Sequence, residues 1–338
     1  MRRIIKLLTL ITLVSCARTN EYSPAKFERE STASVELLGE SLIMGPPVDL
    51  LVEGDYIFVL GHSVSGWVHV FDRTTGELLA NKVALGRGPG EGTGFRSMDY
   101  DRSTNKLYLS DPRLNKTAIY QLSGVDGSIR FIEEIMLPHG GIKNDCHSFA
   151  GGLYLFQGYP DGEDKFTRFY LSDGGNVLDR YTEYPGITQE KDRYAFLLQN
   201  QTKSDFATGR FVSGTMYGAV LECFDVSDHK IRRTSLRLLD PPEMELKGNG
   251  VVPKEGLKWG FITFCIAGDR IFTNYIDSKD ATSFTTISSF DWRGNEHVRY
   301  ETGHNILRMC EDPASKNALY GIVSTPEQEF YLSRIILE

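Results

Sequence analysis

Residues 51–60 read Leu-Val-Glu-Gly-Asp-Tyr-Ile-Phe-Val-Leu, two apolar runs on either side of a short turn. Gly and Asp tolerate the backbone angles of a tight turn, and alternating aliphatic and aromatic residues are typical of strands. The segment therefore predicts a β-hairpin. The same pattern recurs at residues 100–109, 149–155, 206–212, 266–272 and 310–320.

The spacing of these six copies predicts the architecture. They follow one another at about 50 residues, and a second hairpin, such as that at residues 70–79, follows each of the first five. Two hairpins make one four-stranded antiparallel sheet, and six sheets of this size are typical of propeller blades. We therefore predict an all-β protein in which residues 34–338 form a six-bladed β-propeller.

The two ends of the chain predict how the ring closes. The sixth copy has no second hairpin before the chain stops at Glu338, whereas residues 33–38 form an unassigned strand near the start. A propeller that closes on itself has no exposed edge at its junction. We expect this N-terminal strand to complete the last blade.

The first 16 residues predict export. Three basic residues stand within the first six, and the mainly apolar residues 7–14 follow them. This pattern fits a secretory signal peptide and is far shorter than the roughly 20 residues of a membrane-spanning helix. Residues 13–16, Leu-Val-Ser-Cys, resemble the bacterial lipobox. The resemblance implies that Cys16 becomes the first residue after cleavage and carries a lipid; the alternative is an ordinary signal peptide with an accidental cysteine.

These features divide the chain into three parts. We assign residues 1–15 to a lipoprotein signal peptide, the polar residues 16–33 to a tether, and residues 34–338 to the propeller. The expected location is the bacterial cell envelope, with the protein anchored to a membrane by its lipid and facing the periplasm or the cell surface.

Composition excludes two classes of protein. Hydrophobic residues make up 41% of the chain, which is enough for a large core and excludes general disorder. Lys and Arg number 37 against 45 Asp and Glu, a net charge of −8 without a basic run, so nucleic acid is not an expected partner.

The cysteines after Cys16 do not have the spacing of a zinc site or of a redox motif. We expect them to be buried thiols, although an exported location permits a disulfide.

A glycine-rich segment carries the resemblance to a known family. Residues 86–95 read Gly-Arg-Gly-Pro-Gly-Glu-Gly-Thr-Gly-Phe, and a strand that ends in Asp111 and a later Asn115 follow them. Residues 86–120 resemble one NHL-type propeller repeat. Together with the lipobox, they make the chain similar to the TolB-like six-bladed β-propeller lipoproteins of Bacteroidetes. This resemblance implies a fold and a location more than an activity.

The glycine-rich segment does not predict a nucleotide site. It lacks the Gly-Lys-Ser/Thr ending of a phosphate loop, Pro89 removes one backbone N–H, and a strand rather than a helix follows. A serine nucleophile in a Gly-x-Ser-x-Gly turn is also absent from the sequence. We therefore predict no catalytic residue and no cofactor, and we expect this segment to connect two blades.

The topology of the blades predicts which face of the propeller binds a ligand. In antiparallel four-stranded blades, the loops between second and third strands share one face with the connections between blades, and the longest loops fall there. Cations and aromatic rings on this face are candidates for contact with an acidic or glycan ligand, and for each of them the alternative is an ordinary exposed loop side chain. These candidates are Arg87, Arg113, Lys143, Tyr159, Arg193, Lys247 and Trp259.

The same face carries the residues that are the least implausible metal ligands. These are His62, Asp111, His139, Asp145 and His304. A site would require them to converge at the mouth of the ring, and no His-x-x-x-His or comparable spacing supports that. We therefore predict no metal site.

The leading hypothesis from sequence is a lipid-anchored, non-catalytic module that binds a peptide, protein or glycan. The alternative is a metal-dependent hydrolase or lyase with its site at the mouth of the central channel. A third possibility is a structural role in the envelope, similar to that of the periplasmic propeller that partners a peptidoglycan-associated system.

Overall fold

The computed structural model describes residues 22–138, 145–157, 167–187, 190–247, 250–280 and 282–338. These ranges contain 26 β-strands and one α-helix. The strands are β1 (Arg29–Leu38), β2 (Pro47–Glu53), β3 (Tyr56–Ser63), β4 (Gly66–Asp72), β5 (Leu78–Lys82), β6 (Ser97–Asp101), β7 (Lys106–Asp111), β8 (Lys116–Leu122), β9 (Ile129–Met136), β10 (Asp145–Phe149), β11 (Leu153–Gln157), β12 (Phe169–Ser172), β13 (Val177–Tyr181), β14 (Asn200–Asp205), β15 (Arg210–Thr215), β16 (Ala219–Ser227), β17 (Lys230–Asp240), β18 (Met244–Lys247), β19 (Gly250–Pro253), β20 (Trp259–Ala267), β21 (Arg270–Ser278), β22 (Thr286–Asp291), β23 (Glu296–Glu301), β24 (Asn305–Glu311), β25 (Ala318–Ser324) and β26 (Phe330–Leu337). The helix is α1 (Glu190–Leu198).

Consecutive strands form the blades. Strands β2–β5, β6–β9, β10–β13 and β14–β17 make four separate antiparallel sheets of four strands. The remaining blades, β20–β23 and β24–β26, are joined through β1 into one sheet in the order β20-β21-β22-β23-β1-β26-β25-β24. The first strand of each blade contacts the first strand of the next, and β24 contacts β2, so six inner strands enclose a central channel. The protein is a six-bladed β-propeller, as the repeat spacing predicts.

The N-terminal strand closes the ring. Residues from Ala33 to Leu38 pair antiparallel with β26, in register from Leu337 to Leu332. The prediction that this strand completes the last blade is therefore confirmed. The strand also begins earlier than expected, at Arg29, and its first four residues pair in parallel with β23 of the fifth blade. Strand β1 thus forms the hydrogen-bonded link between the fifth and the sixth blade in the described sheets.

Apolar side chains between neighbouring blades form the core. Between the first two blades, Phe58 and Val70 pack with Met98, Leu107 and Tyr120, all of which are buried. A blade covered on both faces needs apolar residues on both sides of its strands, and this explains the nearly continuous apolar runs of the sequence. The rigid ring holds its loops in fixed positions.

Two connections between blades contain secondary structure of their own: residues 182–199 between β13 and β14, and residues 241–258 between β17 and β20. The first contains helix α1, whose Ala195, Phe196 and Leu197 are buried against the rim. The second contains the hairpin β18–β19, which contacts α1. Short helices depend on such packing more than on local propensity, so the sequence pattern does not reveal them. Within the described ranges, no helix has the length and apolar character required to cross a membrane.

Candidate functional site in the central channel

The channel has two ends with different linings. We call the face with the second-to-third loops and the blade connections the crossover face, and the opposite face the turn face. A cavity of about 450 Å³, the crossover chamber, opens at the first face and is mainly polar, and a cavity of about 840 Å³, the turn chamber, opens at the second. Side chains such as Leu51, Met98 and Met309 line the turn chamber. Charged side chains line both chambers, and Lys203 contributes to the lining of each.

A layer of charged residues on the inner strands separates the chambers. Asp99, His147 and Lys203 occupy equivalent positions on β6, β10 and β14, each two residues before the last paired residue of its strand. Asp49 on β2 completes the layer by accepting a hydrogen bond of 2.6 Å from Lys203 Nζ. Burial of the Lys203 ammonium opposes its charge, but Asp49 and Asp99 outweigh that effect and raise its pKa.

His147 stands at the centre of a hydrogen-bonded cluster. Its Nδ1 lies 3.1 Å from Asp99 Oδ1, and its Nε2 lies 3.0 Å from Thr202 Oγ1 and 3.3 Å from Asp145 Oδ2. Asp99 also accepts hydrogen bonds from the Ser148 amide (2.8 Å) and from Ser204 Oγ (2.6 Å). An imidazole with a carboxylate at each ring nitrogen is held in place as a double donor.

The two carboxylates decide the charge of His147. Burial favours the neutral ring, but Asp145 and Asp99 outweigh burial and raise the pKa of His147 to about 10. In turn, burial raises the pKa of Asp145, but the imidazolium and the hydrogen bond from Thr202 lower it further, so the net shift is downward. Thr202, His147 and Asp99 are arranged like the hydroxyl, imidazole and carboxylate of a catalytic triad. A protonated imidazole, however, cannot accept the hydroxyl proton of Thr202. The ring of His147 is therefore a fixed hydrogen-bond donor rather than a base.

We expect His147 to remain doubly protonated at pH 8. Its folded pKa lies above its ordinary value of 6.5, so its contribution to stability is complete below pH 6.5 and is lost as the pH rises to about 10. Changing Asp145→Asn removes one carboxylate and should lower the pKa of His147 by at least about one unit. Nitrogen-15 NMR of the imidazole rings measures the pKa of His147 with and without the Asp145→Asn change. The signal that disappears in the variant His147→Gln identifies the ring of His147. Asp72→Asn, on a turn of the first blade, is the matched control, and a neutral His147 at pH 7 would contradict the expectation.

Three guanidinium groups line the crossover chamber without an ion-pair partner. Arg308 donates through Nε to the Val48 carbonyl (2.6 Å) and through Nη1 to the Leu307 carbonyl (2.7 Å). Arg96 and Arg113 are exposed at the chamber, and Arg113 Nη1 contacts only a backbone carbonyl at 3.4 Å. Among the described residues, no carboxylate forms an ion pair with any of the three. Burial lowers the pKa of Arg308, although Asp49 and Asp145 act in the opposite direction.

Of the five sequence-predicted ligand residues that fall within the described ranges, the structure brings one into the chamber. That residue is Arg113; Arg87 is exposed on the connection between the first two blades. The other three described candidates lie at the rim: Arg193 on α1 over the ring of Tyr184, Lys247 exposed at the end of β18, and Trp259 at the start of β20 against Tyr217. Lys143 and Tyr159 lie outside the described residues, as does Cys16. Ligand contact by these residues stays a prediction.

The weak metal candidates have separate surroundings. His62 is exposed and meets Trp67 edge-on at 5.2 Å, and His304 is exposed on the connection before β24. Asp111 is fully buried and accepts hydrogen bonds from the amides of the loops on either side of it, including Thr93 (2.6 Å) and Gly94 (2.9 Å). Asp145 belongs to the His147 cluster.

His139 lies outside the described residues. Within the part of the chain that the structure describes, no three His, Cys, Asp or Glu side chains are close enough together to hold a metal ion. The carboxylate of Asp111 instead organises the blade connection.

Sequence reasoning missed the residues that form the charged layer. Asp49, Asp99, His147, Lys203 and Arg308 all lie on the first strand of a blade, and all except Lys203 stand next to a buried apolar residue. A charged residue beside a buried apolar residue in a strand is the available signal, because such a residue requires a partner or a water-filled space. These residues lie on strands, outside the loops in which binding residues are expected.

Comparisons with known proteins agree with the fold. Residues 40–203, just under half of the chain, match the family model DUF5128, described as a 6-bladed beta-propeller. The chain is similar to that family over this range. A solved structure from Bacteroides fragilis, of a candidate exported protein, has a TM-score of 0.55 and 13% identity and covers 92% of this chain and 99% of its own.

Two further solved propellers are less similar. The Cps50 (Swd1) propeller domain of Myceliophthora thermophila has a TM-score of 0.47 at 13% identity, and the computationally designed protein Ika8 has 0.42 at 12%. Each covers 88% of this chain and 99% of its own length. No curated protein matches the sequence significantly. At these identities the likeness concerns the fold alone.

Proposed function

We propose that the protein is a lipid-anchored module of the bacterial cell envelope that binds an anionic group of a peptide, protein or glycan in the crossover chamber. The observation that carries this proposal is the set of three unpaired guanidinium groups, Arg96, Arg113 and Arg308, around one cavity. Arginine binds carboxylate groups through paired N–H donors.

The charge of the chamber supports an anionic ligand. The whole chain carries a net charge of −8, yet the chamber lining and the Asp99 carboxylate behind His147 together contain five cationic groups, counting His147 and Lys203, against the three carboxylates of Asp49, Asp99 and Asp145. These carboxylates pair with Lys203 and His147, so the three guanidinium groups are the cations that no described carboxylate pairs. A concave site with walls of low dielectric constant concentrates such a field and attracts ions of opposite charge.

The state of His147 favours binding over catalysis. A protonated imidazole held between two carboxylates donates from both ring nitrogens and does not take up a proton from Thr202. The rigid inner strands hold these groups in place before a ligand arrives, which reduces the entropic cost of binding.

Two features support the location. The sequence motif that ends at Cys16 supports a lipid anchor, and the similar B. fragilis structure belongs to a protein described as a candidate for export. Both fit a protein of the cell envelope with its propeller outside the cytoplasm.

Titration calorimetry with defined probes tests the proposal. We expect trigalacturonate or a triglutamate peptide to bind, whereas the uncharged counterparts, a galactose trisaccharide and a triglutamine peptide, do not. A difference between the two acidic probes distinguishes glycan from peptide. The double change Arg96→Ala and Arg113→Ala should weaken binding by about 10- to 100-fold, since a hydrogen bond to a charged group contributes about 1.5–3 kcal/mol.

The double change Arg293→Ala and Lys316→Ala is the matched control for this experiment. Both residues are exposed on loops of the turn face, so their loss changes the net charge equally without touching the chamber. Equal affinities for the double variant and the control, or binding of the uncharged probes as tightly as the acidic ones, would contradict the proposal.

A further inference from the structure

The first described residues of the chain lie on the crossover face. The Tyr22 ring packs with Tyr184, Phe196 and Leu197, beside the helix that borders the chamber. The hydroxyl of Tyr22 lies against Gly186: a Cβ atom added to this glycine would be only 2.1 Å from the hydroxyl oxygen. The Ser23 amide donates a hydrogen bond of 2.8 Å to the Leu238 carbonyl near the end of β17. Gly186 lies in the connection between the third and fourth blades, so Tyr22 is placed at the crossover rim.

From this point the chain crosses the side of the ring before it enters β1. Phe27 packs against Tyr275 and Phe290 of the fifth blade, with ring centroids 6.5 and 5.6 Å away. Strand β1 then runs antiparallel to β26 and so returns from the turn face to the crossover face. Residues from Tyr22 onward are thus fixed to the body, so a tether that starts at Cys16 comprises at most the residues that precede Tyr22.

The reach of that tether is similar to the depth of the ring. Five residues lie between Cys16 and Tyr22, and the six steps from one to the other span at most about 22 Å at about 3.3–3.6 Å per residue. Most blade strands have five to nine residues and are about 17–30 Å long at ~3.3 Å per residue, and the loops at both ends add to the distance between the two faces. A lipid on Cys16 therefore reaches a membrane at the crossover face, where Tyr22 lies, far more readily than one that lies against the turn face.

We infer that the crossover face, with the mouth of the crossover chamber, faces the membrane, within about 22 Å of its surface at the Tyr22 rim. This inference rests on the lipid anchor of the proposed function. The partner of this face is a lipid bilayer, and the anionic group that the chamber binds is one displayed at, or moving along, the membrane surface. The turn chamber opens away from the membrane.

Energy transfer from the two faces to a labelled bilayer tests this orientation. Val64 lies in the second-to-third loop of the first blade and is 95% exposed; Val125 lies in a third-to-fourth loop and is 90% exposed. The variants Val64→Cys and Val125→Cys accept one donor dye each, because the four described cysteines are buried. The full lipidated protein is reconstituted in vesicles that carry an acceptor lipid. We expect much higher transfer from Val64→Cys, whose dye should lie about 20–30 Å nearer the bilayer.

Two controls separate the orientation from the anchor. The Cys16→Ser variant should remain unbound to the vesicles; if it binds as well as the lipidated chain, the anchor and the inference both fail. Insertion of about 20 Gly and Ser residues before Tyr22 should remove the difference between the two dyes, because a long flexible tether permits other orientations. Equal transfer, or higher transfer from Val125→Cys, in the anchored protein without the insertion overturns the orientation and leaves the anchor and the calorimetric result intact.

Discussion

The variant Glu222→Gln is expected to lose about 3–5 kcal/mol of unfolding free energy, because it leaves the Arg168 guanidinium buried without its carboxylate. Both side chains are almost completely buried, at 0% and 1% exposure, and Arg168 Nη1 lies 2.5 Å from Glu222 Oε2. The pair joins the residue before β12 to β16 and so connects the third blade to the fourth. Denaturant unfolding monitored by fluorescence measures the change.

The surroundings of Arg168 explain why the loss should be large. The guanidinium lies 4.7 Å from the ring centroids of Phe169 and Phe196, and it donates a hydrogen bond of 2.9 Å to Ser213 Oγ. No water reaches this position to solvate the charge once the carboxylate is neutral. Phe196 belongs to α1, so we expect the helix beside the crossover chamber to loosen as well.

Two further variants test whether the loss of stability comes from the buried charge of Arg168. Asp228→Asn removes one partner of the exposed pair with Arg232, at 3.7 Å, and should change stability by at most about 1 kcal/mol. The double change Arg168→Met and Glu222→Leu removes both buried charges with similar volumes and should recover most of the loss. A loss below about 1 kcal/mol for Glu222→Gln, or no recovery in the double variant, would contradict the assignment of a buried ion pair.

A chain that starts at Gly39 is expected to lose roughly 5 kcal/mol or more of stability, because it lacks β1. Six residue pairs with β26 disappear, and the buried Leu38 and the partly buried Val35 no longer cover the last blade. A buried aliphatic side chain of this size contributes about 1.5–3 kcal/mol. The bare edge of β26 would also favour aggregation. Thermal melts of the chains 22–338 and 39–338 measure the effect.

Addition of the missing strand is the decisive companion experiment. A synthetic peptide of residues 22–38 should raise the melting temperature of the chain 39–338, since it restores both the pairing and the buried surface. A peptide of the same composition in scrambled order is the control. If the chain without β1 melts like the longer one, or if both peptides act equally, β1 does not close the ring.

The architecture was predictable because its signals are local. Each hairpin, such as that at residues 51–60, contains its own turn residues and its own alternation, and the period of about 50 residues counts the blades. The role of β1 as the closing strand is predictable from the number of hairpins, since the sixth copy of the repeat has no second hairpin. Helix α1 and the hairpin β18–β19 were not predictable, because their burial depends on the rim against which they pack.

The candidate site was predictable only in part. The sequence placed Arg113 on the correct face, and the structure adds that it lines the chamber. Arg96 stands just before β6 and was not singled out, because a lone arginine beside a strand has many possible roles. The state of His147 depends on Asp99 and Asp145, and nothing in the chain order of these residues indicates that they meet at one imidazole.

The number of blades and their order along the chain are determined by the sequence alone, since strands that pair within a blade are also neighbours in the chain. The binding chamber is decided only by the tertiary structure. Its charged groups come from the inner strands of separate blades, and Asp49 and Arg308 stand at opposite ends of the propeller sequence. Only the closure of the ring brings these two residues to one channel, where burial and mutual charge set their properties.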